Sequence, residues 1–358
     1  MTSILFLYKY GILGGVCTQL HHRLSKLKND DLDIHCGFMS NHGAEKLLGG
    51  LCTLHFSLNV EKLESLITDV RFDLIVVIDT EEYILKLSQI EKIPPLVIEV
   101  HTSIQRNLEY LERIPNNLDP NFITVSNYMK EEIMKRVDVN EGDLTIIGNI
   151  IDGEIFSFSR VNFEKSVLPP IIWVGKIDDH KNWVLAMEIS SSLEESGVEH
   201  ELWVIGGHTA SQTTAENFFS KANDLGVIER LRWFDKINHN EMADLLRNGI
   251  EKGGVGLVTS KGESFGMSIL ESLLVGLPMV CSDTGAIPEI CDNREYMPIY
   301  SLEKSKEAVQ RIKQLLGKWI EDEEFTKMVE AESKGLAKKF SSEDMGGEYW
   351  GTLRDLAK

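Results

Sequence analysis

Short, largely continuous apolar runs alternate with longer stretches in which apolar positions recur every three or four residues, and this rhythm extends along most of the 358-residue chain. The runs read as strands and the periodic stretches as helices, so the pattern predicts a doubly wound α/β protein. In the first half, strands are expected near Ile4–Tyr8, Asp33–Cys36, Leu74–Ile78, Leu96–His101, Phe122–Val125 and Leu144–Ile147. Helices such as Val16–Leu27 and Asn127–Arg136 fall between them. In the second half, strands are expected near Ile171–Gly175, Glu201–Ile205, Leu231–Phe234, Val255–Thr259 and Met279–Ser282. Asn238 followed by Glu241 predicts a capping box opening a helix that runs to Arg247. From Asp152 to Pro170 the rhythm breaks and ends in Pro169–Pro170, which reads as a linker. The expected division is 1–152, a linker over 153–170, and 171–339. No repeat or heptad is evident, which argues against a solenoid or coiled coil.

The length allows two domains with a core each. The formal net charge of −19 argues against a nucleic-acid partner. It divides as −7 over residues 1–150 and −12 over 151–358, so neither half is basic overall. That leaves room for no more than weak peripheral contact with an anionic membrane. Five scattered cysteines without a CxxC pair fit reduced thiols rather than structural zinc or a disulfide framework. The N-terminal apolar run from Ile4 to Tyr8 has strand length, too short for a signal sequence or a membrane span. A cytoplasmic location is the expectation.

The most informative stretch is 260–289, SKGESFGMSILESLLVGLPMVCSDTGAIPE. Glu263 follows a strand, and Glu271 lies on a helix expected to begin near Ser264 or Phe265. Gly276 and Pro278 end that helix, and another strand follows at once. In a strand–loop–helix–strand unit of a parallel sheet, ligands bind at the carboxyl ends of the strands. The helix N-terminus suits an anion such as a diphosphate. The two carboxylates can accept hydrogen bonds from polyhydroxyl groups on either side, such as a sugar and a ribose.

The same string, with two Glu residues separated by seven others, Phe265–Gly266 inside and Gly276-Leu-Pro278 after, resembles the retaining GT-B glycosyltransferases of family 4. The resemblance implies an α/β, GT-B fold of two Rossmann-like doubly wound domains facing a central cleft. It also implies a C-terminal helix, about 340–358, that crosses back to the first domain, with Trp350 and Leu353 as its packing residues. Glu263 would then hold the donor sugar, together with backbone N–H groups of Phe265 and Gly266. Glu271 would hold the nucleotide ribose. Ser264, Met267 and Ile237 join the expected donor site.

Other positions acquire roles through the same resemblance. In WVGKIDDHKNW, Gly175 leads to Lys176 and Lys181, the expected cations on the donor diphosphate. Lys176 stands where the family usually has Arg, and a point charge replaces a two-pronged fork. Gly14 and Gly15 follow the first strand and let the backbone approach a phosphate or the acceptor, or simply make a tight turn. His101, at the end of VIEVHTS, is expected beside the transferred sugar, a structural hydrogen-bonded histidine being the alternative. The GAIPE segment ending at Glu289 resembles a family loop.

Three features read as decoys. Asp31-Leu-Asp33 has the form of a manganese site but lies in a polar stretch entering a strand. The run Glu321 to Glu324 reads as a solvated helix face. His21 and His22 lack partners at zinc-ligand spacing.

The resemblance implies transfer of a hexosyl group from a nucleotide sugar, with a UDP-sugar expected, to a hydroxyl of a glycan, lipid or other acceptor with retention. The expected catalytic residues are His101, Lys176, Lys181 and Glu263, without metal or other cofactor. A GT-B protein that binds nucleotide sugars without turnover, or a sugar-nucleotide epimerase of GT-B architecture, is the alternative.

Overall fold

A computed structural model describes residues 2–12, 15–25, 27, 31–160, 168–208, 210–291, 294–316, 318, 322–341 and 343–358. Gly14, Glu321 and the part of the expected linker over 161–167 lie outside the described residues. The chain divides into two compact units, Met1–Ile150 with Phe340–Lys358, and Ile151–Lys339.

The first unit contains a parallel sheet of β1 (Thr2–Ile12), β2 (Leu32–His42), β3 (Thr53–Phe56), β4 (Leu74–Ile78), β5 (Leu96–Val100), β6 (Pro120–Thr124) and β7 (Leu144–Ile146). Their order is β3-β2-β1-β4-β5-β6-β7. Every residue of β4 and β5 is buried, as expected of central strands covered on both faces. Two departures from the sequence reading occur here. β1 and β2 continue pairing through Tyr10↔Ser40 and Ile12↔His42, beyond the apolar runs, because backbone pairing does not need apolar side chains. β3 was not anticipated; Thr-Leu-His-Phe is short and mixed, and its pairing to β2 makes it an edge strand.

The helix Asp344–Leu356 belongs to this first unit. Tyr349, Trp350 and Leu353 are buried in one core with Ile4, Phe6, Leu20 and Leu24, and Trp350 meets Phe6 edge-on at 6.1 Å between ring centroids. Each large side chain buried this way contributes roughly 1.5–3 kcal/mol, enough to hold a terminal segment against fraying. Trp350 and Leu353 are thus packing residues of a terminal helix that returns to the first unit, as the sequence implied.

The second unit contains β8 (Pro170–Val174), β9 (Glu201–Ile205), β10 (Leu231–Phe234), β11 (Val255–Val258), β12 (Met279–Ser282) and β13 (Ile299–Tyr300). These also form a parallel sheet, ordered β10-β9-β8-β11-β12-β13. β13 escaped the sequence reading because two residues carry no periodic signal. The expected capping box does not form: Asn238 donates its side-chain amide to Glu241 Oε2 at 3.0 Å, and no side-chain bond caps the helix His239–Glu251.

Both sheets are two Rossmann-like α/β layers in which strand order reverses beside the first strand of the unit. The reversals lie between β1 and β4 and between β8 and β11. Loops leave in opposite directions at such points and open a crevice at the carboxyl ends of the strands.

Candidate functional site

In the second unit, the loops after β8 and β11 bring Lys181 and Glu263 together. Lys181 Nζ donates to Glu263 Oε1 at 2.5 Å, and Ser260 Oγ donates to the same oxygen at 2.8 Å. Side-chain exposure is 22% for Lys181 and 11% for Glu263, so the pair is shielded without being sealed. An ammonium has three donors, which leaves Lys181 able to bind more than this carboxylate.

The scaffold beneath the pair is polar and local. Asp178 Oδ1 accepts the Lys181 backbone N–H at 2.8 Å. Thr259, at the end of β11, accepts from Trp173 Nε1 at 2.9 Å and donates to the Lys181 and Asn182 carbonyls at 2.9 and 3.0 Å. Ser282 and Thr284 both donate to the Ser260 carbonyl at 2.8 Å. Sequence reasoning passed over Thr259, Ser260 and Asp178; small polar residues at a strand end were the available signal.

The helix that carries Glu271 runs from Met267 to Val275, two or three residues later than expected. Gly266 precedes it at φ 76°, a left-handed conformation that cannot continue into a right-handed helix, so Ser264 and Phe265 lie in the loop. Gly276 closes the helix at φ 93°, as its sequence implied. Ile269 and Leu270 both donate their backbone N–H to the Gly266 carbonyl at 3.0 Å, and the positive end of the helix stands just beyond Glu263 in the chain. Phe265 is buried, whereas Ser264 and Met267 are half-buried.

Gly285 lies at φ 58°, and a Cβ there would come within 2.3 Å of the Glu263 carbonyl oxygen and 2.5 Å of its nitrogen. The Ala286 N–H also donates to the Glu263 carbonyl at 2.8 Å. The GAIPE segment therefore braces the backbone of Glu263, while Glu289 itself is exposed.

Glu271 is half-buried, and burial pushes its carboxyl up to about 8. Among the described residues it has no hydrogen-bond or ionic partner. Lys176 is exposed and likewise without a side-chain partner among the described residues. Gly175 lies between Trp173 and the Lys181 stem, and Ile237 is half-buried after β10.

In the first unit, Asp79 and His101 follow β4 and β5. His101 donates its backbone N–H to Asp79 Oδ2 at 3.0 Å, and its Nε2 lies 2.8 Å from Glu99 Oε1. Burial pushes the Asp79 carboxyl up to about 6, against the opposing influence of His101. Gly15 opens the helix Gly15–Ser25 and is exposed.

The decoys fall elsewhere. Asp33 accepts from Ser3 Oγ at 3.2 Å at the amino ends of β1 and β2, opposite the crevice. His22 is buried beside the Ile150 carbonyl, and Glu323 and Glu324 pair with Lys327 on a helix surface. Among the described residues no group of three or more His, Cys, Asp or Glu side chains could hold a metal ion, and no helix is long and apolar enough to cross a membrane.

Comparison with known proteins gives a family. The model of the glycosyl transferases group 1 matches residues 157–335, half of the chain. A D-inositol 3-phosphate glycosyltransferase of Corynebacterium diphtheriae is 23% identical over 190 residues, covering 49% of this chain and 43% of that protein. The chain thus matches less than half the length of that curated relative. Among solved structures, Anabaena HepE in complex with UDP and glucose is similar with a TM-score of 0.80 at 17% identity, covering 99% of this chain and 100% of that one. Sucrose-phosphate synthase from Thermosynechococcus elongatus is similar with a TM-score of 0.78 at 14% identity, covering 99% of each chain. These neighbours are GT-B glycosyltransferases, and their likeness extends to the two-sheet fold of this chain.

Proposed function

The chain belongs to the glycosyl transferases group 1, and from that premise we propose that it transfers a hexosyl group from a nucleotide sugar, in the first instance a UDP-sugar, to an acceptor hydroxyl with retention. The observation that carries this reading is the Lys181–Glu263–Ser260 cluster, held at a strand-order reversal immediately before the helix Met267–Val275. A sugar diphosphate needs a cation and amides at its phosphates and acceptors at its hydroxyls, and this cluster supplies each of them.

Glu263, fixed by Lys181, Ser260 and the Gly285–Ala286 backbone, orients the sugar hydroxyls together with the amides of Phe265 and Gly266. Lys181 and Lys176 face the diphosphate, aided by the helix terminus. Glu271 accepts from the ribose, which an ionised carboxyl does at both oxygens. We assign His101, at the carboxyl end of β5, a hydrogen bond to a substrate hydroxyl. In a retaining reaction without a protein nucleophile, the anomeric carbon–phosphate oxygen bond breaks as the acceptor oxygen bonds to the same face. The departing phosphate takes the acceptor proton. The protein's part is positioning and stabilisation of the growing diphosphate charge. No step calls for a metal.

Incubation with radiolabelled UDP-glucose or UDP-N-acetylglucosamine, scored for slow donor hydrolysis and release of UDP, tests the proposal. Binding of UDP without turnover of any nucleotide sugar would favour a non-catalytic binding protein. Interconversion of the two sugars would favour an epimerase.

A further inference from the structure

His101 is not held as an isolated ring. Residues 99 and 101 lie two apart at the end of β5, so their side chains emerge on the same face of the sheet. Glu99 is sealed there, with side-chain exposure of 0%, and each carboxylate oxygen is occupied. Oε1 accepts from Arg23 NH1 at 2.6 Å and faces His101 Nε2 at 2.8 Å; Oε2 accepts from the Tyr349 hydroxyl at 2.8 Å. Arg23 comes from the helix Gly15–Ser25 and Tyr349 from the helix Asp344–Leu356. The guanidinium lies over the Tyr349 ring at 3.7 Å, and Trp350 Nε1 donates to the Arg23 carbonyl at 3.3 Å.

Burial alone would raise the Glu99 carboxyl, but the Arg23 charge and the hydrogen bonds from His101 and Arg23 outweigh it and hold the group down to about 2. An ionised carboxylate only accepts hydrogen bonds, so the proton between it and the imidazole must reside on Nε2. The opposite ring nitrogen, Nδ1, has no partner among the described residues. The backbone is held from the other side by Asp79, itself at φ 41°, a conformation that non-glycine residues hold only under constraint.

We infer that Glu99 is a positioning residue that fixes the His101 tautomer, with Arg23 and Tyr349 fixing Glu99, so that His101 presents Nδ1 as an acceptor for a substrate hydroxyl. This rests on the substrate-contacting role proposed for His101. It gives the C-terminal helix a role beyond packing, because Tyr349 reaches the imidazole through a single carboxylate. Arg23 serves the same end by keeping that carboxylate ionised.

The test combines nitrogen-15 NMR of the histidine rings with kinetics of donor hydrolysis. The His101 signals are assigned by their disappearance in His101→Asn. In the wild-type protein, once a pH titration has brought the ring to its neutral form, Nε2 should carry the proton and Nδ1 should not. Glu99→Ala should abolish this fixed tautomer, and so should Arg23→Met/Glu99→Leu, which leaves no buried charge unpaired. Each should lower kcat about 10–100-fold, the scale of a misplaced group at a reacting centre, with donor KM within about threefold. Adding His101→Ala to either should cost nothing more, because Glu99 acts through His101. Tyr349→Phe should show a smaller change of the same kind.

A neutral His101 ring protonated on Nδ1 in the wild-type protein would overturn the inference, as would losses from Glu99 and His101 variants that multiply. Full turnover in His101→Ala would instead remove His101 from the sugar site, while the ring spectra would still decide whether Glu99 fixes the tautomer.

Discussion

The two units share a parallel sheet with reversed strand order, yet they use a buried glutamate in opposite ways. Glu263 is partly open, and its neighbours are a flexible lysine and a serine hydroxyl from adjacent loops. Glu99 is closed off by an arginine and a tyrosine drawn from two helices, and only His101 connects it to the strand ends. The first arrangement leaves a charged pair able to exchange partners with a ligand. The second uses a carboxylate to hold one nitrogen of an imidazole in place. On the function proposed, the same residue type serves as a ligand-facing group in one sheet and as internal support in the other, and burial with partner identity decides which.

The largest effect that could break this contrast is on Glu263. Glu263→Gln keeps the shape but removes the charge that holds Lys181, so kcat for donor hydrolysis should fall about 10³-fold. Unchanged melting temperature would separate this loss from misfolding. A fall of less than about tenfold would make Glu263 supporting structure, as Glu99 is.

Glu271 sharpens the contrast from another side. If its carboxylate binds the ribose, Glu271→Ala should weaken UDP binding about 10–100-fold, the equivalent of one or two charge-assisted hydrogen bonds. Its carboxyl is raised to about 8 from an ordinary 4.5, so at pH 7 it is largely protonated. UDP binding should therefore release close to one proton, measurable by calorimetry in buffers of different ionisation enthalpy. Binding with no proton release would mean that Glu271 does not meet the ribose as a carboxylate. The sign for stability follows as well: the folded state favours the protonated carboxyl, so the group costs stability increasingly as pH rises from 4.5 through 8. Glu271→Gln should lack that alkaline loss.

How much of this could be read from residues alone differs between the two sites. The Glu263–Glu271 string is contiguous, with glycines and a proline as punctuation, so its loop, helix and following strand were legible. The helix start was placed too early because Ser264 and Phe265 have no propensity against helix, and only the backbone angle of Gly266 moves the boundary to Met267. Lys181 and Glu263 were each candidates, but their ion pair spans 82 positions and has no local signal. The Arg23–Glu99–Tyr349 cluster was not legible at all. Its members are separated by 76 and 250 positions, and each alone looks like a surface residue. Edge strands β3 and β13 were missed for a related reason, since pairing with a neighbour rather than their own pattern sustains them.

A smaller effect distinguishes the sealed glutamate. The Glu99 carboxyl is held at about 2, below its ordinary 4.5, so the stability it supplies is complete above about pH 4.5 and is lost as pH falls through 2. Tyr349→Phe should move the acid-unfolding midpoint upward by a few tenths of a pH unit, on the order expected for one lost hydrogen bond. An unchanged midpoint would mean Arg23 and His101 suffice. The smallest expected effect is none: donor turnover should survive EDTA, because lysines and a helix terminus supply the positive charge. Loss of activity restored by Mn²⁺ would contradict that and return attention to Asp31 and Asp33.

In the function proposed, the Lys181–Glu263 pair is a donor site in which the lysine stabilises charge as the sugar–phosphate bond breaks. Steady-state kinetics of donor hydrolysis on folded Lys181→Ala test it most directly. Negative charge on the diphosphate grows toward the transition state, so a fixed cation matters more there than in the bound donor. On folded Lys181→Ala, kcat should fall about 10²–10³-fold while donor KM stays within about threefold. A kcat within about threefold of wild type, with only KM raised, would contradict it.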